Sequence, residues 1–267
     1  MCDADIPGDP ASARGIKSRD VIALLTDFGT RDPYVAAMKG VLASRTDAVV
    51  HDLSHDLAPY DVLGAAWFLN TVVRYWPVGT IFVCVVDPGV GTARNIIAVE
   101  SEGRVFLAPD NGLLTFVDGV AHAVTNEAFF LPEGSNTFHG RDRFAPVAAA
   151  IANGTPISEL GPPLARITRL PYQPPAYGET VRGSIVAVDR FGNAITDVDR
   201  AKIPFAPFAL RVREHTIDRI EENYGDAAPG AFLIVGSTGC IEISVANASA
   251  AARLQLRRLE RVELWPL

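Results

Sequence analysis

The chain alternates short apolar runs with polar turns, and two of the apolar runs end directly at an aspartate. Residues 21–25 (VIALL) are followed by TDFG, and residues 81–86 (IFVCVV) are followed by DPG. Continuous apolar runs of this length are typical of strands that are buried on both faces of a parallel sheet. Open α/β sheets bind ligands at the carboxyl ends of such strands, so Asp27 and Asp87 are candidate site residues.

The first 170 residues continue with alternating helix and strand patterns. Helical spacing of apolar residues, or an alanine-rich run, predicts helices at residues 32–44, 61–75 and 144–153. Short apolar segments predict further strands at residues 48–50, 95–100, 105–108 and 121–124. This order predicts an α/β domain over residues 21–170 with a largely buried mixed sheet.

The stretch LPYQPPAYG, residues 170–178, separates this domain from a region of different texture. Its prolines and its lack of periodicity predict a linker over residues 171–178. Strand-like segments then follow without a long helical pattern, at residues 180–189, 194–198, 208–214, 232–235, 240–245 and 254–264. Such short spacing predicts a small all-β barrel or sandwich over residues 179–267.

The composition argues against several classes of function. The 267 residues carry a formal net charge of −7 and no basic run, so nucleic acid and acidic membranes are poor partners. The three cysteines are Cys2, Cys84 and Cys240, and this odd number indicates a reducing, cytoplasmic compartment without a disulfide framework. No apolar stretch reaches the roughly 18 residues of a membrane span. Residues 1–20 are polar and lack an apolar signal core, so we expect a disordered lead-in.

Two clusters of the first domain have both a functional and a structural interpretation. Arg94 follows Asp87 by seven residues, so the pair lies at the mouth of a cleft or forms a surface salt bridge in a turn. His139 precedes a predicted helix, whose dipole favours a neutral imidazole, although a lone histidine there is more often structural than catalytic. Both interpretations remain open at the level of local sequence.

Three further polar clusters are equally ambiguous. Residues 51–56 (HDLSHD) suggest a metal site, but the segment lacks the HExxH pattern, and solvated loop residues or satisfied core polar groups are favoured. Residues 189–193 (DRFGN) and 237–239 (STG) each interrupt an apolar strand pattern. They are either binding loops or simple hairpin turns.

Six motifs of the chain occur in the order found in one known family. They are TDFG at 26–29, DPGVGT at 87–92 with Arg94 after it, PDNGLL at 109–114, FHGRD at 138–142, DRFGN at 189–193 and the strand at 239–247. Over residues 21–264 the chain resembles the S-adenosyl-L-methionine (SAM) hydroxide adenosyltransferases, also called SAM hydrolases, which are relatives of fluorinase and chlorinase. The resemblance implies an α/β N-terminal domain, a β-barrel C-terminal domain and a homotrimer. It also implies that each site lies between the N-terminal domain of one subunit and the C-terminal domain of its neighbour.

The resemblance also implies a role for each motif. Asp27 matches the carboxylate that binds the ribose hydroxyls, and an ionised carboxylate can accept from both groups of a vicinal diol. The residues that match the group positioning the attacking water are Asp87, Arg94 and His139. The residues that match substrate contacts are Tyr60 over the sugar, Asp189 at the methionine amine, Phe191 and Asn193 at adenine, and Ser237 at the methionine end. Thr238 stands where the halogenases commonly have an arginine, so the contact to the methionine carboxylate departs from that pattern.

The reaction implied is attack of water at C5′ of the ribose, which yields adenosine and L-methionine without a cofactor or a metal. Halogenation is the competing enzyme activity, but the corresponding pocket positions are Asp87, Val90 and Gly140, and an ionised Asp87 repels a halide. A non-catalytic adenosine or SAM sensor could dispense with Asp87, Arg94 and His139. All three residues are present, which disfavours a sensor. A dinucleotide-binding enzyme is disfavoured because GVG supplies only part of the glycine fingerprint.

Overall fold

The computed structural model describes residues 21–225 and 227–267, and these residues form two compact units. The first unit ends at Pro171, and the second runs from Tyr172 to Leu267. The predicted lead-in, residues 1–20, lies outside the described residues. Within them, no helix is long and apolar enough to cross a membrane.

A seven-stranded mixed sheet forms the centre of the first unit. Its strands are β1 (Val21–Thr26), β2 (Val49–Ser54), β3 (Ile81–Val85), β4 (Ile96–Ser101), β5 (Arg104–Pro109), β6 (Val120–Ala123) and β7 (Pro163–Leu164). The strand order is β2-β1-β3-β5-β4-β6-β7. The pairs from β2 to β5 are parallel, and those from β5 to β7 are antiparallel. The prediction of a mixed sheet is therefore confirmed.

Helices cover both faces of this sheet, which explains why its central strands are apolar throughout. They are α1 (Tyr34–Ala43), α2 (Val62–Val72) and α3 (Ala145–Ala152). On one face, Ile22 and Leu24 of β1 belong to the same core cluster as Met38 and Leu42 of α1, together with residues of α3. On the other face, Ala23 and Leu25 cluster with α2. Alternate residues of β1 thus enter opposite cores, and each fully buried leucine contributes about 1.5–3 kcal/mol.

Short helical turns complete the first unit. They are 3-10 turns at Val73–Tyr75, Glu127–Phe129 and Ile157–Glu159, and a π-helical turn at Gly140–Phe144. The π turn directly precedes α3, where the sequence pattern predicted an ordinary helix start. Because Pro146 has no N–H, the carbonyl of Asp142 cannot accept from it and instead accepts from the amide of Leu131 at 2.9 Å.

The second unit is an antiparallel sheet that is nearly closed into a barrel. Its strands are β8 (Val181–Val188), β9 (Ala194–Asp199), β10 (Phe208–Val212), β11 (His215–Ile217), β12 (Ala231–Val235), β13 (Cys240–Val245) and β14 (Arg261–Pro266). The order is β11-β10-β14-β8-β9-β13-β12. Just beyond β11, Ile220 forms a bridge with Leu233 of β12, so the two edges of the sheet approach each other.

The apolar segment at residues 254–264 differs from the predicted strand. A short helix, α4 (Ala250–Arg253), precedes it, and β14 begins only at Arg261. Leu256 is nevertheless buried in the core of this unit. A turn can deliver alternate apolar side chains to a core as a strand does, which explains the misleading pattern.

Candidate active site

The carboxyl ends of β1 and β3 lie side by side and open onto a cleft. The two strands pair in parallel with Thr26 opposite Val85, so Asp27 and Asp87 leave the sheet at the same edge. The cleft has a volume of about 600 Å³. Its charged lining consists of Asp27, Asp32, Asp56 and Asp87, and no lysine or arginine of the described chain lines it. Such a lining favours a cationic ligand.

The backbone of Tyr60 orients Asp27. The amide N–H of Tyr60 donates to Oδ2 of Asp27 at 2.8 Å. Tyr60 has a φ of 66°, in the left-handed region, where a non-glycine residue costs of order 1–3 kcal/mol. Tyr60 is 73% exposed and lines the cleft. The fold therefore brings these two predicted site residues together.

Asp87 and Arg94 form a buried ion pair. Arg94 donates through Nε to Oδ1 of Asp87 at 2.9 Å and through Nη2 to Oδ2. The side chains are only 4% exposed for Asp87 and 10% for Arg94. This bidentate contact holds the carboxylate in one orientation. The interpretation as a surface salt bridge is wrong, because both partners are withdrawn from solvent.

A tight turn places this pair against the loop before His139. The amide of Val90 donates to the carbonyl of Asp87 at 3.2 Å. Gly91 has a φ of 79°, and a Cβ on it would lie 2.6 Å from the carbonyl oxygen of Asn136. Only glycine allows both the conformation and the close approach of the two loops.

His139 is buried behind Arg94 in a defined tautomer. Its Nδ1 lies 3.1 Å from Nη2 of Arg94, and a guanidinium can only donate. Nδ1 is therefore the acceptor, and the proton of the neutral ring is on Nε2, which is buried and has no hydrogen-bond partner among residues 21–225 and 227–267. Burial, followed by the charges of Arg143 and Arg94, lowers the pKa of His139. The neutral ring therefore presents an N–H on Nε2 and has no free acceptor nitrogen.

Asp142 organises the loop that carries His139, a role the motif analysis missed. Its buried carboxylate accepts from the amide of Ser135 at 2.6 Å and from Arg141 at 2.5 Å. Burial by itself raises the pKa of Asp142, but Arg141 and the Ser135 amide lower it below its ordinary value. The adjacent Arg141 and Asp142 in the FHGRD motif were the available sequence signal.

The remaining predicted site residues are in the second unit. Oδ1 of Asp189 accepts from the amides of Phe191 at 2.9 Å and Asn193 at 2.8 Å, and Oδ2 accepts from the side chain of Asn193 at 2.9 Å. This turn presents the ring of Phe191, which is 78% exposed, while Asn193 is buried. Ser237 is exposed in a turn before β13. The DRFGN cluster is therefore a turn, as one interpretation held, but one that exposes an aromatic face.

Glu242 of β13 is a further buried carboxyl group in this unit. It accepts from the hydroxyl of Tyr224 at 2.8 Å and lies against Gly236, next to Ser237. Burial raises the pKa of Glu242, and the charge of Asp189 raises it further, against the effect of the Tyr224 contact. Its position in an apolar strand gave no sequence signal.

The HDLSHD segment does not form a metal-binding cluster. Among residues 21–225 and 227–267, no group of three or more His, Cys, Asp or Glu side chains is arranged to bind a metal ion. His55 is buried and contacts Thr26 and Asp52, whereas His51 is exposed and packs edge-on against Trp76.

Both units are similar to parts of known proteins. Residues 22–161 match the family model of the SAM hydroxide adenosyltransferase N-terminal domain, and residues 183–263 match that of the C-terminal domain. The (R)-S-adenosyl-L-methionine hydrolase of Thermus thermophilus is 41% identical over 253 residues, which cover 88% of this chain and 96% of the relative. The hydrolase of the same name from Salinispora tropica is 38% identical, covering 91% and 97%.

More distant relatives and a solved structure agree with this match. A fluorinase of Actinoplanes sp. is 30% identical, covering 68% of this chain and 73% of the relative. A crystal structure of an uncharacterized conserved protein from Thermotoga maritima aligns with a TM-score of 0.83 and 31% identity. That alignment covers 91% of this chain and 99% of the solved chain.

Proposed function

Because the chain belongs to the SAM hydroxide adenosyltransferase family, we propose that it hydrolyses S-adenosyl-L-methionine to adenosine and L-methionine. The observation that carries the proposal is the buried cluster of Asp87, Arg94 and His139, beside Asp27 at one sheet edge. The hydrolases of Thermus and Salinispora, related over most of the chain, support the same activity. The acidic lining of the cleft suits a sulfonium substrate.

The proposed reaction is a displacement at C5′ of the ribose. A water oxygen forms the new C5′–O bond while the C5′–S bond breaks, and both electrons of that bond leave with sulfur as a neutral thioether. The water proton passes to Asp87 and then to solvent. Because a sulfonium is already an activated leaving group, no acid, metal or cofactor is required.

Each residue of the cluster has a distinct role in this proposal. Asp87 accepts the proton, and Arg94 fixes its orientation through two hydrogen bonds. The N–H on Nε2 of His139, for which the described part of the chain supplies no partner, is the proposed donor to the water oxygen. Positioning of this kind can lower a barrier by several kcal/mol. Asp27 binds the ribose diol, and Tyr60 covers the sugar.

The second unit supplies the remaining substrate contacts in this proposal. Phe191 stacks on adenine and Asn193 contacts its edge, while Asp189 and Ser237 bind the methionine end. We further propose a homotrimer in which the second unit of a neighbouring subunit completes each site, and a cytoplasmic location. The support is the family resemblance for the trimer, and the odd number of cysteines, among them the buried Cys84, for the compartment.

An isotope experiment tests both the reaction and the position of attack. The purified protein is incubated with SAM in H₂¹⁸O, with each sulfonium epimer separately, and products are analysed by chromatography and mass spectrometry. We expect adenosine and methionine in equal amounts, with ¹⁸O only in adenosine, and no effect of a chelator. Label in methionine, or 5′-chloro-5′-deoxyadenosine as the main product in chloride buffer, would overturn the proposal.

A further inference from the structure

A series of polar side chains, exposed at one end and buried at the other, connects the surface of the first unit to the strand end that carries Asp27. The hydroxyl of Thr26 lies 2.8 Å from Nδ1 of His55, and both residues are buried. On the other side of the ring, Nε2 lies 2.9 Å from Oδ1 of Asp52. Oδ2 of Asp52 accepts from Nζ of Lys39 at 2.6 Å.

The charges along this series of side chains determine the direction of its hydrogen bonds. Burial by itself raises the pKa of Asp52, but the contacts with Lys39 and His55 lower it below its ordinary value, so Asp52 is ionised. A carboxylate beside Nε2 favours the proton on that nitrogen, even though its N–H is not aligned for a hydrogen bond. Nδ1 then accepts from the Thr26 hydroxyl, whose oxygen accepts from the amide of Phe28 at 3.3 Å.

The backbone of His55 provides a second link to the same loop. Its carbonyl oxygen accepts from the amide of Gly29 at 2.7 Å. Asp27 therefore lies between a residue bonded to the His55 ring and a residue bonded to the His55 carbonyl. His55 also lines the cleft.

The order carboxylate, imidazole, hydroxyl is also that of a hydrolytic triad, but the chemistry here is different. Thr26 is completely buried, so its hydroxyl cannot reach a substrate. The hydroxyl therefore does not act as a nucleophile, and a hydrogen-bonded arrangement of this kind orients the neighbouring residue.

We propose that His55 is a positioning residue that, through Thr26 and Gly29, fixes the loop presenting Asp27 to the ribose diol. This inference rests on the proposed function. It assigns a role to a histidine that belongs to none of the six family motifs.

Two substitutions of His55 separate its two ring contacts. His55→Asn keeps an amide oxygen near the place of Nδ1, so the bond to Thr26 survives while the contact with Asp52 is lost. His55→Gln keeps a polar atom near the place of Nε2 and loses the acceptor for Thr26. Thr26→Val removes the hydroxyl while nearly keeping the side-chain shape, and Thr26→Ser keeps the hydroxyl. His51→Gln is the matched control, because His51 is an exposed histidine of β2, the strand that ends just before His55.

The readout is the ratio of calorimetric dissociation constants for 2′,3′-dideoxyadenosine and adenosine. A general loss of stability weakens both ligands alike, so only a displaced Asp27 changes this ratio. We expect His55→Gln and Thr26→Val to reduce the ratio about tenfold, as for one misaligned charged hydrogen bond. His55→Asn, Thr26→Ser and His51→Gln should stay within about threefold of the original protein.

The outcomes separate this inference from the proposed function. If the original protein cleaves SAM and prefers adenosine, but His55→Gln and Thr26→Val keep that preference, the positioning role is refuted. Equal losses in His55→Gln and His55→Asn refute it as well. If the original protein neither cleaves SAM nor prefers adenosine, the proposed function itself fails. Should His55→Gln not fold, Thr26→Val decides by the same ratio.

Discussion

Replacing Asp87 with alanine removes one partner of a buried ion pair and the proposed proton acceptor together. The side chains of Asp87 and Arg94 are 4% and 10% exposed, so Arg94 would be left as an almost buried charge against the rings of His139 and Phe144. Breaking such a pair costs about 3–5 kcal/mol. For a chain of this size, that loss lowers the melting temperature by roughly 10 °C. Calorimetric unfolding measures it.

The same substitution should affect turnover much more than binding. Loss of a general base typically reduces the rate by about 10²–10⁴-fold, or roughly 3–5 kcal/mol of transition-state stabilisation. The affinity for SAM should stay within about tenfold, because Asp87 contacts the water rather than the substrate in the proposed site. Single-turnover rates and calorimetric affinities measure the two quantities separately.

Asp118→Ala is the matched control, because Asp118 pairs with Arg169 on the surface of the same unit. Asp118 is 93% exposed, and exposed pairs contribute about 0–1 kcal/mol. The variant should therefore keep normal stability and turnover. Near-normal turnover of Asp87→Ala, or complete loss of its SAM binding, would refute the water-positioning role. A trace of 5′-chloro product from Asp87→Ala in excess chloride would fit the loss of a repelling charge.

The other expected outcomes concern the ligand contacts, a turn and the pH dependence of stability. Asp27→Ala should weaken adenosine binding strongly and 2′,3′-dideoxyadenosine binding much less, and equal calorimetric losses would contradict the diol contact. Phe191→Ala should raise the dissociation constant of SAM up to about tenfold, because the stacking face is lost, and should leave the single-turnover rate unchanged. A slower single-turnover rate at unchanged affinity would argue against the stacking role of Phe191. Gly91→Ala should destabilise by several kcal/mol, because its φ of 79° is strained and its Cβ would lie 2.6 Å from a carbonyl oxygen. Gly154→Ala, which has a positive φ but open space, should cost less in urea unfolding. Folding lowers the pKa of His139 below 6.5, so as the pH falls through about 6.5 the imidazole is protonated in the unfolded chain before it is protonated in the folded chain. The free energy of unfolding should therefore decline below that pH. His139→Gln should reduce the difference in unfolding free energy between pH 7.5 and 5.5, and an unchanged difference would exclude this contribution.

Local sequence determined which strands end in a carboxylate and where the chain changes from mixed α/β to antiparallel structure. The apolar runs before Asp27 and Asp87 are long enough for buried strands, and their turn residues mark the ends. These features depend on neighbouring residues only. The motif order then identified the family without any knowledge of contacts.

Tertiary structure decided which of those residues meet and in what state. Asp27 and Asp87 become neighbours only through the parallel pairing of β1 with β3, which local patterns do not specify. The tautomer of His139 and the connection from His55 to Thr26 depend on side chains that are distant in sequence. Asp87 and Arg94 are close in sequence, but the burial of their pair also exists only in the fold. Protonation follows burial and the nearest charges, and both of these exist only once the chain has folded. For that reason His139 could be located by its motif, whereas its tautomer, and the contacts behind the role proposed for His55, required the fold.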